Sequence, residues 1–127
     1  MAKLKRTDYR GLVQLCERRG TATIGNNTVA SLNSERTITV ALHGHSIVRL
    51  FANGDTAWTL AGWPTVTTRD RVNQFLPDGQ RVWQHKGEQR QSWPNFPGDR
   101  QGWRPVEDLH AWYRVSELTY APEEVTA

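Results

Sequence analysis

The chain has 127 residues, the length of one ordinary domain, and 37% of them are hydrophobic and 23% charged. No segment approaches the roughly 20 consecutive apolar residues of a membrane-spanning helix, which excludes an integral membrane protein. The basic start at residues 1–6 is not followed by the apolar stretch of a secretory signal, so we expect no such signal. The single cysteine, Cys16, cannot form an internal disulfide, which favours a reducing compartment.

Charge is unevenly distributed along the chain. Basic residues outnumber acidic residues by 16 to 13, which gives a net charge of +3. Residues 1–20 carry a local charge of +4, residues 81–104 carry +3, and residues 105–127 carry −4. This distribution fits a basic surface for a polyanion together with an acidic tail, although small domains often show it by chance.

Residues 8–19 have the spacing of a short amphipathic helix. Apolar side chains recur there on one helical face, at Tyr9, Leu12, Val13 and Cys16. Thr7 is the predicted N-terminal cap, and Gly20 suits the left-handed conformation that ends many helices. A first helix is therefore predicted over about residues 8–19.

Helical spacing returns at residues 65–76. The apolar stripe of this second helix consists of Val72, Phe75 and Leu76. Thr67, followed three residues later by Asp70, resembles a capping box and is predicted to begin the helix.

Short β-branched segments separated by turn residues occupy much of the remaining chain. The predicted strands lie at residues 28–32, 36–42, 45–51, 56–60, 80–85 and 112–115. Asn53-Gly54 is a strong hairpin signal, because both residue types accept positive φ. We therefore predict an α+β fold in which a curved or barrel-like antiparallel sheet of about five or six strands carries two short helices.

The chain is predicted to form a single domain, residues 1–127, with four successive segments. They are an N-terminal helix at about residues 8–19, a β-rich core at about 21–85, a Trp-, Arg- and Pro-rich loop at about 86–106 and an acidic tail at about 116–127. Loops of this length are usually functional or mobile. Because the loop contains Trp93, Phe96 and Trp103, we expect it to be held against the domain.

The aromatic content is the most unusual feature of the sequence. Six tryptophans are present, and four of them lie among arginines in the last 45 residues, at Trp83, Trp93, Trp103 and Trp112. Arginine binds phosphate and flat rings stack on unpaired bases, so the pattern is typical of a surface for single strands or RNA. The same residue types also form protein-binding hot spots, and in a small domain they fill the core.

The second predicted helix supplies further candidates, because Arg69, Arg71 and Asn73 are residue types that contact base edges in a groove. A polar helix face is more often simply solvated, and no partner helix of a helix-turn-helix precedes this one. The candidate residues for binding nucleic acid or a partner protein are Arg69, Arg71, Asn73, Arg81, Arg90, Trp93, Arg100, Trp103 and Arg104.

His43 and His45 are potential metal ligands placed close together, and on a strand their side chains would share one face. A metal site needs a third ligand and normally a fourth, and neither lies nearby in the sequence. No nucleophile elbow and no glycine-rich phosphate loop is present. We therefore predict no catalytic residues, no metal and no cofactor, with a metal-dependent enzyme using His43 and His45 as a distant alternative.

Three sequence elements resemble a family of small proteins encoded by tailed bacteriophages, especially those of actinobacteria. They are Asn26-Asn27-Thr28, Leu42-His43, and a block at residues 62–76 that fits the pattern G-W-x-T-x-T-T-x-x-R-x-N-x-F-L. The resemblance implies a phage origin and a location in the host bacterial cytoplasm, and it implies no particular activity. The block can be a scaffold, or it can form a binding surface with Asn26, Asn27 and His43.

Two functional hypotheses follow from these patterns. The first is a non-enzymatic phage accessory protein that binds DNA or RNA through an Arg/Trp surface. The second is an inhibitor or adaptor that binds a host bacterial protein through the Trp-rich loop. Neither hypothesis involves a membrane.

Overall fold

The computed structural model describes residues 3–93 and 102–117 of the chain. Within these residues the helices are α1 (Tyr9–Cys16) and α2 (Val66–Asn73). The strands are β1 (Thr21–Gly25), β2 (Thr28–Leu32), β3 (Ile38–Leu42), β4 (His45–Leu50), β5 (Thr56–Trp58), β6 (Val82–His85), β7 (Glu88–Ser92), β8 (Trp103–Pro105) and β9 (Tyr113–Arg114). In this part of the chain, no helix has both the length and the apolar character needed to cross a membrane.

The strands form two antiparallel sheets, which we call the larger sheet and the smaller sheet. The larger sheet has the order β1-β2-β3-β4-β5-β9, and the smaller sheet has the order β6-β7-β8. The predicted α+β class and a main antiparallel sheet of six strands are confirmed. The larger sheet does not close into a barrel, because β1 and β9 form two separate edges.

The two sheets and both helices share one apolar core. In β3, fully buried residues alternate with half-buried ones, as the two-residue period of a strand requires. Val82 of β6 and Val106 after β8 belong to the same buried cluster as Cys16 of α1 and Val72 of α2. The outward faces of the two sheets therefore point away from a common interior.

Helix α1 is shorter than predicted and has a different cap. The side chain of Asp8, and not that of Thr7, accepts the N–H of Gly11 at 2.9 Å. Hydrogen bonds from Arg6 and Gly11 lower the pKa of Asp8 to about 2. The helix ends at Cys16 rather than at residue 19. Gly20 adopts the left-handed conformation predicted for it, with a φ of 80°, and its N–H donates to the Cys16 carbonyl at 2.6 Å.

Helix α2 also differs from its prediction at both ends. The hydroxyl of Thr65 accepts the N–H of Thr68 at 3.1 Å, so Thr65, and not Thr67, is the cap. The helix ends at Asn73 rather than at residue 76, because a tighter turn follows in which the N–H of Phe75 donates to the Val72 carbonyl at 3.0 Å.

The strands of the β-rich core lie close to their predicted positions, and one strand was not predicted. Residues Thr21–Gly25 form β1, which pairs with β2. The hairpin at Asn53-Gly54 is confirmed with a longer loop, since Gly54 has a positive φ of 93° and Asn53 does not. The N–H of Phe51 donates to the carbonyl of Asp55 at 3.0 Å and closes that loop.

The prediction of a loop over residues 86–106 is wrong for most of its described part. Glu88–Ser92 and Trp103–Pro105 are strands of the smaller sheet, and Lys86-Gly87 forms the tight turn between β6 and β7, with φ of 50° and 83°. Residues 94–101 of the predicted loop lie outside the described residues. Of the predicted acidic tail, residues 116 and 117 are described, within a helical turn at 115–117.

Candidate functional site

Arg71 is buried inside the fold, with 7% of its surface exposed. Its Nε donates to the hydroxyl of Thr28 at 3.1 Å, and its Nη1 lies 2.8 Å from a carboxylate oxygen of Asp70. The Thr28 hydroxyl in turn donates to the carbonyl of Asn26 at 2.8 Å. Arg71 therefore joins α2 to the start of β2, and its guanidinium is not presented to a groove of nucleic acid.

Asn73 and Arg69 likewise connect α2 to other parts of the fold. The side-chain amide of Asn73 donates to the carbonyl of Val82 and accepts the N–H of the same residue, each at 2.8 Å. Nη1 of Arg69 donates to the carbonyl of Pro64 at 2.7 Å and to the side-chain oxygen of Gln89 at 3.0 Å. The polar face of α2 thus packs against the protein, and we assign these three candidates to the scaffold.

The three sequence elements of the phage resemblance meet at one end of the larger sheet. The N–H of His43 donates to the carbonyl of Asn27 at 2.9 Å, and the ring of Trp63 lies 6.3 Å from the ring of His43. Gly62 has a positive φ of 78°, and a side chain there would collide with the ring of His110. These contacts show that residues 62–76 contribute to the scaffold, while Asn26, Asn27 and His43 are exposed beside them.

The histidine pair does not have the geometry of a strand pair. His43 lies in the turn between β3 and β4 with a φ of 51°, and only His45 belongs to β4. The ring of His45 lies 4.7 Å from the ring of Trp63. Among the described residues, no group of three or more His, Cys, Asp and Glu side chains could hold a metal ion.

The smaller sheet separates its side chains into two faces. Because opposite residues of paired strands share a face, the pairs Trp83–Arg90 and Ser92–Trp103 lie on one side of the sheet. Glu88, Arg81 and His85 lie on the same side, which we call the aromatic–basic face. The side chains on its other face include the buried Val82, Gln89 and Gln91 and point toward the core.

Arg90 is the centre of the aromatic–basic face. Its guanidinium carbon lies 3.7 Å from the centre of the Trp103 ring, and its Nε donates to a Glu88 oxygen at 2.7 Å. Trp83 is its cross-strand partner on β6. Trp83, Arg90 and Trp103, one from each strand, therefore form a row that bends at Arg90, because Trp103 lies opposite Ser92 and reaches Arg90 diagonally. Each of the three side chains is partly exposed.

Two predicted site residues lie on the opposite side of the smaller sheet. Trp93 is 5% exposed, and the guanidinium carbon of Arg104 lies 3.4 Å from the centre of its ring. Burial lowers the pKa of Arg104, while the nearby carboxylates of Glu117 and Glu107 act in the opposite direction. Trp93 and Arg104 therefore belong to the inner side of the sheet, and Arg100 lies outside the described residues.

The aromatic–basic face retains three of the predicted residues and adds others. Arg81, Arg90 and Trp103 lie on it, with Arg81 exposed at its margin. Trp83, His85 and Lys86 were not among the candidates. Trp83 is two residues from both Arg81 and His85, so the three side chains share one side of the strand. This spacing identifies the face only when the register with β7 is also known.

The fold and this face define a small α+β protein of two sheets whose candidate site is a surface of rings and guanidinium groups. The family model described as Kyanoviridae Gp96 protein matches residues 14–98, which is more than half of the chain. The chain therefore belongs to this phage protein family. No curated protein and no solved structure matches it.

Proposed function

We propose that this phage protein is a non-enzymatic accessory protein that binds single-stranded DNA or RNA on the aromatic–basic face. The observation that carries the proposal is the row of Trp83, Arg90 and Trp103 across the smaller sheet. The proposal includes a location in the host bacterial cytoplasm and a relationship to the actinobacteriophage proteins that share its motif order.

The chemistry of the face fits an unpaired strand better than a duplex. Bases of a single strand expose their flat faces, and stacking of a base on an aromatic side chain contributes about 1 to 3 kcal/mol. The planar guanidinium of Arg90 offers a second stacking surface beside the ring of Trp103. A duplex hides its base faces, and the side chains of Arg69, Arg71 and Asn73 on α2 are bonded within the protein rather than presented to a groove.

The charge of the face favours a polyanion. Arg81 is exposed on the face and Lys86 is exposed in the adjoining turn, and Arg90 is paired with Glu88, the one acidic residue that the strand register places on this face among the described residues. Each phosphate that a basic residue neutralises makes the logarithm of the affinity fall with the logarithm of salt concentration by about 0.7 for single strands. Binding is therefore expected to weaken steeply with salt.

The test is a titration of labelled single-stranded DNA, duplex DNA and RNA at about 50 and about 200 mM salt. We expect single strands to bind most tightly, and Trp103→Leu to weaken binding about tenfold, the loss of one stacked base. The matched control is Trp63→Leu, which removes an exposed tryptophan (47% exposed) that does not belong to the smaller sheet, and it is expected to leave the affinity unchanged.

Arg81→Gln provides a second readout, because loss of one phosphate contact is expected to lower the salt slope by about 0.7 without altering base preference. Equal weakening by Trp63→Leu and Trp103→Leu would contradict the proposal, as would the absence of binding to all three polymers. If none of the three polymers binds, the adaptor hypothesis, in which the Trp-rich loop binds a host bacterial protein, becomes the better one.

A further inference from the structure

The outer face of the larger sheet carries a second group of arginines and rings. Arg49 of β4, Ala57 of β5 and Arg114 of β9 are cross-strand partners in one row and therefore point to the same side. The inward neighbours Val48 and Trp58 are buried in the core, so this row faces outward. The helices contribute Cys16 and Val72 to the core and therefore lie on the inner side, and Ala57 in the middle of the row is 4% exposed.

Each arginine of the row is stacked on an aromatic ring. The guanidinium carbon of Arg49 lies 4.1 Å from the centre of the Trp112 ring, and that of Arg114 lies 4.5 Å from the centre of the Phe51 ring. We call Arg49, Phe51, Trp112 and Arg114 the outer patch. It repeats the combination of guanidinium and ring found at Arg90 and Trp103.

The two arginines of the outer patch differ in how their charge is used. Nη1 of Arg114 lies 3.1 Å from Asp55, whose side chain is 12% exposed and also accepts from the hydroxyl of Ser116 at 2.9 Å. Arg49 is exposed and forms no ion pair with any carboxylate among the described residues. Arg49 therefore presents an uncompensated positive charge beside the Trp112 ring.

The outer patch and the aromatic–basic face point in different directions. Val82 of the smaller sheet and Val48 of the larger sheet lie in the same core cluster, so the solvent face of each sheet lies on the side away from that core. A domain of this length has a radius of gyration of about 14 Å. A short oligonucleotide seated on one face therefore cannot reach the other without passing around the domain.

We infer that the outer patch is a second binding face for single-stranded nucleic acid, so that one molecule holds two separate strand segments. The inference rests on the proposed function, because it assigns to the outer patch the ligand proposed for the aromatic–basic face. Trp112 and Phe51 supply ring surface for bases, and Arg49 supplies the cation for phosphate. Two such faces on opposite sides make the protein a bridge between strands.

Native mass spectrometry counts how many short oligonucleotides one protein molecule holds. The oligonucleotides are about six nucleotides long, which is near the lower end of the site sizes of single-strand-binding domains. We expect two for the unaltered protein and one for the double variant Arg49→Gln/Trp112→Leu. Trp103→Leu is also expected to leave one. Arg36→Gln, which alters an exposed arginine in the turn between β2 and β3, is the matched control and should keep two.

A second measurement uses the unaltered protein, so it does not depend on the folding of any variant. Donor-labelled and acceptor-labelled oligonucleotides of the same length are mixed with it, and energy transfer is expected when both faces are filled. A single bound oligonucleotide that is lost in Trp103→Leu, with no energy transfer, overturns the second face and leaves the proposed function standing. No bound oligonucleotide at all overturns the proposed function, and the second face with it.

Discussion

The block at residues 62–76 and the strands of the smaller sheet contain the same kinds of polar and aromatic residues, but the fold uses them in opposite ways. In the block, Arg71 is buried against Thr28, and Asn73 bonds to the backbone of Val82. In the smaller sheet, Arg90 stacks on Trp103 at the surface. Both arginines bond to the protein, so the comparison teaches that an arginine's role here depends on whether its guanidinium is enclosed by the fold or lies at the surface.

Among the variants that test this comparison, Arg71→Ala is expected to lose the most stability. The change removes the guanidinium donor from both the Thr28 hydroxyl and the Asp70 carboxylate, and losing one member of a buried pair costs about 3 kcal/mol when the other member is partly exposed, as Asp70 is. Urea unfolding measures the loss. Arg81→Ala, at an exposed arginine, is the control and should change the free energy of unfolding by less than about 0.5 kcal/mol.

The opposite outcome would break the comparison. If Arg71→Ala were as stable as Arg81→Ala and nevertheless lost its affinity for nucleic acid, the block would be part of the binding surface and not of the scaffold.

A smaller effect is expected from Gly62→Ala, which tests the block through its backbone. The new methyl group meets both a positive φ and the ring of His110, and together these cost about 2 kcal/mol. Gly54→Ala has a similar positive φ of 93° with open space around it, and it should cost about 1 kcal/mol.

The difference between the two glycine variants isolates the contact with His110. His110→Ala introduced into Gly62→Ala is expected to recover part of that difference in thermal unfolding. If both glycine variants lost the same stability and His110→Ala restored none of it, Gly62 would be needed only for its backbone conformation.

The smallest effect is expected from Asp55, the ion-pair partner of Arg114. Arg114 combines the two situations compared above, because it is ion-paired like Arg71 and stacked on a ring like Arg90. Burial raises the pKa of Asp55, but hydrogen bonds from Ser116, Thr56 and Arg114 outweigh burial and hold the pKa below the ordinary value of 3.8. A carboxyl with a lowered pKa in the folded state stabilises the protein above its unfolded pKa, and this stabilisation is lost as the pH falls through the folded pKa.

The stability of the unaltered protein is therefore expected to decline below about pH 4 more steeply than that of Asp55→Asn. Urea unfolding at a series of pH values between about 2 and 6 gives the two curves. Parallel curves would mean that Asp55 does not carry this contribution. The control is Asp78→Asn, at an exposed aspartate in the turn before β6, which should keep the slope of the unaltered protein.

Much of the larger sheet and the existence of both helices could be predicted, because their residues follow clear apolar periods. Strand β3 alternates in burial along its whole length, and the stripe of α1 is buried as its spacing indicates. The caps were displaced by one or two residues, since Asp8, Thr7, Thr65 and Thr67 are all capable caps and only the surrounding backbone selects among them.

Of the smaller sheet, β6 was predicted, but β7 and β8 could not be recognised from apolar periodicity. The inward residues of β7 are Gln89 and Gln91, which are buried, so the strand contains no hydrophobic residue to reveal its period. The side-chain amide of Gln89 donates to Gln84 at 2.7 Å and accepts from Arg69, which lies 20 residues away in sequence. Partners this distant are set by the tertiary fold and leave no local pattern.

The candidate site was predicted in composition but not in geometry. The tryptophans and arginines between residues 81 and 104 indicate a stacking surface, and the proposed binding of single strands rests on that prediction. Whether a given ring faces outward depends on strand register, and that register separates Trp103 from Trp93. Arg71 could not be recognised as internal, because its partner Thr28 lies 43 residues away.

The double hydrogen bond between Asn73 and Val82 has a consequence for how the protein behaves in a crowded cell. Strand β6 is an outer strand of its sheet, and the outer strands of sheets are the usual places where a foreign chain attaches and aggregation begins. The amide of Asn73 imitates a neighbouring peptide group and occupies both backbone groups of Val82. One side chain from α2 thus protects the sheet against unwanted pairing with other chains.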